Sequence, residues 1–224
     1  MIPKWLFQTF AWIVAFAVLL FVPAGTLHWP AAWVFLGLMI ASGLGFGGWL
    51  ARKDPALLAE RMRSPIRADQ PAADKKFLLV FFVVFLIWFI VMGLDERFHL
   101  SHMPVALQVL GLALLILSSA FIAWVFNENS FAAAVVRIQA ERGHHVVSSG
   151  PYAFVRHPMY SGAILFMVGI ALLLGSWWGT AISLIFVVLF GIRTRIEEHT
   201  LMTGLPGYAD YAARVRCRLV PGLW

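Results

Sequence analysis

The chain has 224 residues, 61% of them hydrophobic and only 12% charged, a balance that excludes an ordinary soluble domain. Its 17 Lys and Arg against 11 Asp and Glu give a formal charge of +6, but no basic domain exists to hold nucleic acid, so that partner class is excluded too. A lone cysteine, Cys217, excludes an intramolecular disulfide.

Runs of roughly 17–25 apolar residues cross a bilayer core as helices, and six follow one another: Trp5–Leu27, Ala31–Leu50, Phe77–Leu94, Pro104–Phe126, Pro158–Leu174 and Trp177–Ile192. The expected fold is all-α, a polytopic transmembrane bundle forming one integral-membrane domain over 1–224, with four spans in 1–126 and a motif-bearing region in 127–224. The first run follows Lys4 like a signal peptide, but it exceeds the ~7–15 residues of a signal core, so it is expected to be retained. In the second, "GLGFGG" at Gly43–Gly48 lies inside a helix, where small residues serve close packing. Ser118-Ser119, in the fourth, are expected to bond to their own helix backbone. Gly175-Ser176 makes the last two runs a tight hairpin.

Sixteen of the seventeen basic residues fall in the N-terminus, the 51–76 loop, the 127–157 loop or the tail, and only Arg97 lies on the other side. Cytoplasmic loops collect Lys and Arg, so both termini and the chemistry are expected at the cytoplasmic face, with membrane lipids as neighbours.

Before the fifth run stands "GPYAFVRHPMYSG", Gly150–Gly162. Pro158 suits the first turn of a helix with His157 at its cap, and helix-start N–H groups attract anions. Tyr152, Phe154 and Tyr160 offer faces for a ring or a cation. The same residues also fit an interfacial anchor with Arg156 and His157 in an aromatic belt. The sixth run ends in "RTRIEEHTL". If its helix continues, Arg193 and Glu197 share a face one turn apart, while Arg195 and Glu198 point elsewhere, Glu198 as a solvated residue. An ionisable group at the end of such an apolar run lines a cavity or meets a partner.

The segment "HHVVSSGPYAFVRHPMYSG", a helical hairpin, "RTRIEE" and "GYADYAARVRCRLVPGLW" resemble the isoprenylcysteine carboxyl methyltransferase family over about the last ninety residues. The resemblance implies an integral-membrane enzyme that uses S-adenosylmethionine to methylate a lipophilic or small acceptor. It implies a cofactor segment at His144, His145, Val146 and Val147, a turn tyrosine at Tyr152, and a His-Pro-x-Tyr element at His157, Pro158, Met159 and Tyr160. Glu197 would contact the cofactor and Arg193 would face the acceptor. A further glutamine contact fits Arg137 by spacing and Gln139 by chemistry, and is assigned to Gln139.

The chemistry agrees. Ribose hydroxyls want an acid such as Glu197, backbone at Val146 and Val147 can read an adenine edge, and ring faces favour a sulfonium. A carboxylate acceptor is already ionised and needs no base, only an orienting cation such as Arg193; an amine or thiol would have to lose a proton. His144-His145 with a distant Cys217 assembles no ligand set, so no metal is expected. In the tail, Tyr208, Tyr211, Val215 and Leu219 recur at helical spacing, an amphipathic helix that closes over the cofactor loop or anchors the chain end. Thiol S- and phospholipid N-methyltransferases are the alternatives, the latter usually having Asn-Pro in place of His157-Pro158. A small transporter is the alternative of another class, disfavoured by the lack of an internal repeat.

Overall fold

The computed structural model describes residues 2–64 and 70–224. Residues 65–69 of the expected 51–76 loop, Arg67 included, lie outside the described residues. Among the described residues the regular structure is all helical, with no strand. The helices are α1 (Ile2–Ala24), α2 (Pro30–Lys53), α3 (Pro55–Arg61), α4 (Ala72–Phe98), α5 (Val105–Glu128), α6 (Pro158–Leu173), α7 (Trp177–Gly204) and α8 (Tyr208–Arg214), with 3-10 turns at Ala140–Arg142 and Gly150–Ala153.

Helix ends follow local chemistry. Pro30, Pro55 and Pro158 open α2, α3 and α6, where a missing N–H costs nothing. Asp54 caps α3 by accepting from the Leu57 N–H at 2.9 Å, and Ser176 caps α7 through Gly179 at 2.8 Å. Past α1, Gly25 takes a left-handed φ of +68°, which a glycine adopts without strain.

Two helices outrun their apolar stretches. α4 begins five residues before Phe77 and takes in Asp95, Glu96 and Arg97, because Asp74 in its first turn and Arg97 in its last complement the helix dipole. α7 continues from Ile192 to Gly204, roughly three further turns. α3 was not expected. The tail differs most: α8 stops at Arg214 instead of continuing to Leu219. Arg156 Nη1 donates to the carbonyls of Val215 (2.6 Å) and Arg216 (2.9 Å), and the Arg156 and His157 N–H groups donate to those of Cys217 and Arg218. Those carbonyls are thereby drawn out of any helix, and Tyr208 and Tyr211 turn inward to burial.

One apolar core joins α1, α2, α4 and α6 to α7, centred on Leu20, Phe35, Trp88, Phe89, Ile170 and Phe186. Trp88 Nε1 donates to the Gly179 carbonyl at 2.7 Å, fixing α4 on α7. α5 and α6 approach backbone to backbone: a Cβ on Gly111 would stand 2.3 Å from the Leu173 nitrogen. Gly43 and Gly47 serve packing in the same way, against Thr9 and Trp5 of α1. Ser118 and Ser119 both donate to the Leu115 carbonyl, as expected.

Five helices, Lys4–Ala24, α2, α4, α5 and α7, are long and apolar enough to cross a membrane. α6 has 16 residues, about 24 Å of helix, short of a ~30 Å hydrocarbon core. It nonetheless joins the two ends of the bundle. Its start sits among the C-terminal half of α7 and the tail, and just beyond its end Ser176 donates to Asp95, which also accepts from Ser101 at 2.7 Å.

Candidate functional site

At the end of the bundle opposite Asp95, the segment joining α5 to α6 folds over the start of α6 and the second half of α7, and α8 closes the far side. Between them lies a cleft of about 730 Å³, its mouth included. His144, His145, Val146, Val147, Tyr152, His157, Met159, Tyr160 and Glu197 all line it. Three of the expected site residues do not: Pro158 is buried in the first turn of α6, Arg193 stands behind Tyr160, and Gln139 is fully buried. Gln139 donates to the Phe131 carbonyl at 2.8 Å and accepts from Arg142 at 2.5 Å, so its amide is committed within the loop. Arg137, the alternative by spacing, is on the cleft wall, paired with Glu60 at 3.0 Å and with Glu141. Phe154 is exposed and outside the cleft.

The floor is a continuous polar chain. α7 carries Arg193 and Glu197 one turn apart, and Tyr160 of α6 sits between them. Arg193 Nε donates to the Tyr160 hydroxyl at 3.0 Å, which donates to Glu197 Oε2 at 2.6 Å. Arg193 also donates to the Ala134 carbonyl at 2.6 Å and lies 3.5 Å from Asp74 Oδ1. His157 stacks on Tyr160 with rings 4° from parallel, its Nδ1 3.5 Å from Glu197 and its Nε2 3.4 Å from Glu198. Burial works against the charged imidazole, but the bonds to Glu197 and Glu198 prevail and raise its pKa.

Glu198 corrects the expectation of a solvated residue. It is buried and holds Arg156 at 2.5 Å and Arg218 at 2.7 Å. Arg156 is equally buried, so the Arg156-His157 pair is an internal staple for the tail and not an anchor at the membrane surface. Arg195, three residues earlier on the same helix, is exposed; Glu198 is buried because Arg156 and Arg218 close over it.

The walls are aromatic and apolar. His144 stacks on Phe131 at 4.6 Å, and His145 meets the same ring edge-on at 5.0 Å. Burial, opposed by Glu197, pushes the His144 pKa down to about 4, so it is neutral at pH 7. Tyr152 accepts from Asn129 at 2.8 Å, and its carbonyl accepts from Tyr211; burial raises the pKa of both phenols and keeps them protonated. Among the described residues, the backbone N–H and C=O of Val146 and Val147 have no partner, which leaves them available to a ligand in the cleft. No group of three or more His, Cys, Asp or Glu is arranged there to hold a metal ion, among the described residues.

Sequence reasoning missed Asp74, which is fully buried and whose Oδ2 accepts from the Val136 N–H at 3.0 Å and from Gln70 at 2.6 Å. It pins the segment joining α5 to α6 and Arg193 together from α4. No local motif marks it; the only signal was an acid in the first turn before a long apolar run.

Residues 106–205 match the phospholipid methyltransferase family. The chain is 32% identical over 78 residues to a cobalt-zinc-cadmium resistance protein of Cupriavidus metallidurans, covering 34% of this chain and 36% of that protein. It is 32% identical over 83 residues to the protein-S-isoprenylcysteine O-methyltransferase of Schizosaccharomyces pombe, covering 36% of this chain and 35% of that one. The matched segments thus span little more than a third of those relatives. A solved structure of the eukaryotic intramembrane Ras methyltransferase ICMT (isoprenylcysteine carboxyl methyltransferase) shares the fold, with a TM-score of 0.56 and 22% identity, over 95% of this chain and 75% of that one.

Proposed function

We propose, from the premise that this chain is of the isoprenylcysteine carboxyl methyltransferase-like family, that it methylates the carboxylate of a lipophilic acceptor at the cytoplasmic face of a membrane. The observation that carries the reading is the Arg193–Tyr160–Glu197–His157 chain on the floor of a cleft walled by aromatic rings. The six expected spans, α6 included, would place both termini inside, with the whole chain as one membrane domain.

The cleft fits S-adenosylmethionine. Glu197, with its side chain 27% exposed, offers acceptors to ribose hydroxyls. The free backbone groups of Val146 and Val147 offer a donor and an acceptor to an adenine edge, and the faces of Tyr152, Tyr208 and Phe131 suit a ring or a cation. When bound, the cofactor supplies a methyl on cationic sulfur, which a carboxylate oxygen takes while the S–C electron pair stays on sulfur and no proton moves. The protein's part is positioning and exclusion of water. Tyr160 and His157 fix the Glu197 carboxylate, and Arg193, fixed by Asp74 and the Ala134 carbonyl, sets the positive field on the acceptor side. His144, with its pKa pushed down to about 4, is a weak base, and both ring nitrogens of His157 face the carboxylates of Glu197 and Glu198, so neither is set to deprotonate an amine or a thiol. An already ionised acceptor needs neither.

Calorimetry on the detergent-purified chain tests the reading. S-adenosylmethionine or its demethylated product should bind, and Glu197→Ala should weaken binding about tenfold or more, the worth of a charge-assisted hydrogen bond. A folded wild type that binds neither at millimolar ligand would remove the methyltransferase reading and favour a transporter.

A further inference from the structure

Arg137, on the cleft wall, is held by two acids of opposite character. Its side chain is 7% exposed, and its Nε donates at 3.0 Å to Glu60 of α3, whose side chain is 3% exposed. Its Nη2 pairs with Glu141, which is 56% exposed. The preceding residue is fastened too, since the Val136 N–H donates to the buried Asp74 at 3.0 Å. Separating a buried pair strands a charge and is costly, whereas an exposed carboxylate gains little from its partner over water. Glu60 is therefore the fixed partner of Arg137, and Glu141 the exchangeable one.

The other basic side chains lining the cleft, among the described residues, are engaged otherwise. Arg156 is enclosed by Glu198 and by the carbonyls of Val215 and Arg216. The ring nitrogens of His157 face Glu197 and Glu198, and His144 is neutral at pH 7. His145, at the exposed rim, rests its Nδ1 against the Gly143 carbonyl at 3.1 Å. A carboxylate entering the cleft therefore meets its guanidinium at Arg137, and S-adenosylmethionine carries one at its amino-acid end. Arg137 and Glu197 both lie close enough to His144 for their charges to act on it, so one ligand can reach the cation and the ribose-side acid together. α3 lies outside residues 106–205, so the matched region assigns Glu60 nothing. Where the spacing of the resemblance expects a neutral glutamine, this chain has a cation between two acids.

Resting on the proposed use of S-adenosylmethionine, we infer that Glu141 is a tethered competitor of the cofactor's carboxylate for Arg137, and that Glu60 is the positioning residue that keeps this guanidinium at the cleft wall. The guanidinium has five N–H donors in a planar fork, so one carboxylate can be exchanged while the other stays. The cofactor's carboxylate takes the donors that Glu141 releases, and Glu141 turns to water. Cofactor affinity is thus set below what Arg137 alone would give, and it depends on an acid of α3 far along the chain from the motif segment.

Calorimetry on the full chain in detergent tests this with S-adenosylhomocysteine and with methylthioadenosine, which keeps the nucleoside and lacks the amino-acid end. Wild type should prefer S-adenosylhomocysteine about tenfold to a hundredfold, the worth of charge-assisted bonds to its carboxylate. Arg137→Gln should cut that preference to less than about threefold and spare methylthioadenosine. Glu60→Gln should lower the preference too, and Glu60→Asp, which keeps the charge, should retain more of it. Glu141→Gln should do the reverse and tighten S-adenosylhomocysteine about twofold to fivefold, with methylthioadenosine unchanged. It alters only an exposed side chain, so it tests the exchange whether or not the buried variants fold. Asp210→Asn, which removes another exposed acid, should tighten neither ligand. Unchanged preference in Arg137→Gln, or no tightening in Glu141→Gln beyond that in Asp210→Asn, overturns the competitor role. Equal loss of both ligands in Glu60→Gln would mean that Glu60 only holds the fold, and overturns its positioning role. Failure of wild type to bind either ligand would instead count against the methyltransferase reading.

Discussion

Glu197 and Glu198 are adjacent, yet one faces the cleft and the other is enclosed by Arg156, Arg218 and His157. Removing Glu198 leaves Arg156 buried without its anion, so Glu198→Ala should lower stability by about 3–5 kcal/mol, read from a thermal melt in detergent. Arg193→Lys should leave cofactor binding intact but cut turnover about tenfold to a hundredfold, since an ammonium cannot serve Tyr160 and the Ala134 carbonyl together. The exposed Arg195 should tolerate the same change. The two imidazoles predict opposite pH limbs. His157 has a raised pKa in the folded state, so its contribution to stability is present below its ordinary 6.5 and lost as pH rises through the folded value. His144, lowered to about 4, gives stability present above 6.5 and lost as pH falls towards 4. Melting temperature against pH should lose its alkaline limb in His157→Gln and its acid limb in His144→Gln. The residues facing the cleft were legible from the motifs, which run through local sequence. Glu198, Arg156 and Asp74 were not, because their partners come from the tail, from α4 and from a loop far along the chain.

At the scale of elements, the length of the apolar runs located every long helix, while the ends were misread wherever charge entered. A hydropathy run stops at the first Asp or Arg, but the helix does not: α4 absorbs Asp74 and Arg97, and α7 carries its apolar stretch on through Arg193 and Glu198 to Gly204. That extension builds the site, since it brings Glu197 over the cleft. The tail failed in the other direction, because its helical spacing was overridden by Arg156 taking the carbonyls of Val215 and Arg216. The α5–α6 contact is the most sterically exacting junction. Gly111→Ala would push a methyl against the backbone of Leu173 and Gly169, and overpacking of this kind should cost about 1–3 kcal/mol. A lowered melting temperature would report it, and an unchanged one would mean that α5 and α6 can part without loss.

For the whole molecule, the split of basic residues predicts sidedness. The cleft, α3 and the tail gather at one end of the bundle, and Asp95, Ser101 and Ser176 at the other. With Cys217 replaced by serine, single cysteines at Ala72 and His102 should react with an impermeant reagent from opposite sides of intact membranes; labelling from the same side would overturn the six-span arrangement. The central claim is carboxyl methylation, and one measurement meets it directly. The purified chain is incubated with S-adenosylmethionine labelled in its methyl group and an S-prenylated N-acetylcysteine, and the product is treated with mild base. The account predicts label on the acceptor that base releases as methanol, and less of it with Glu197→Ala at sub-saturating cofactor. Label that resists base, and so sits on nitrogen or sulfur, or no transfer by a folded, cofactor-binding protein, would contradict it.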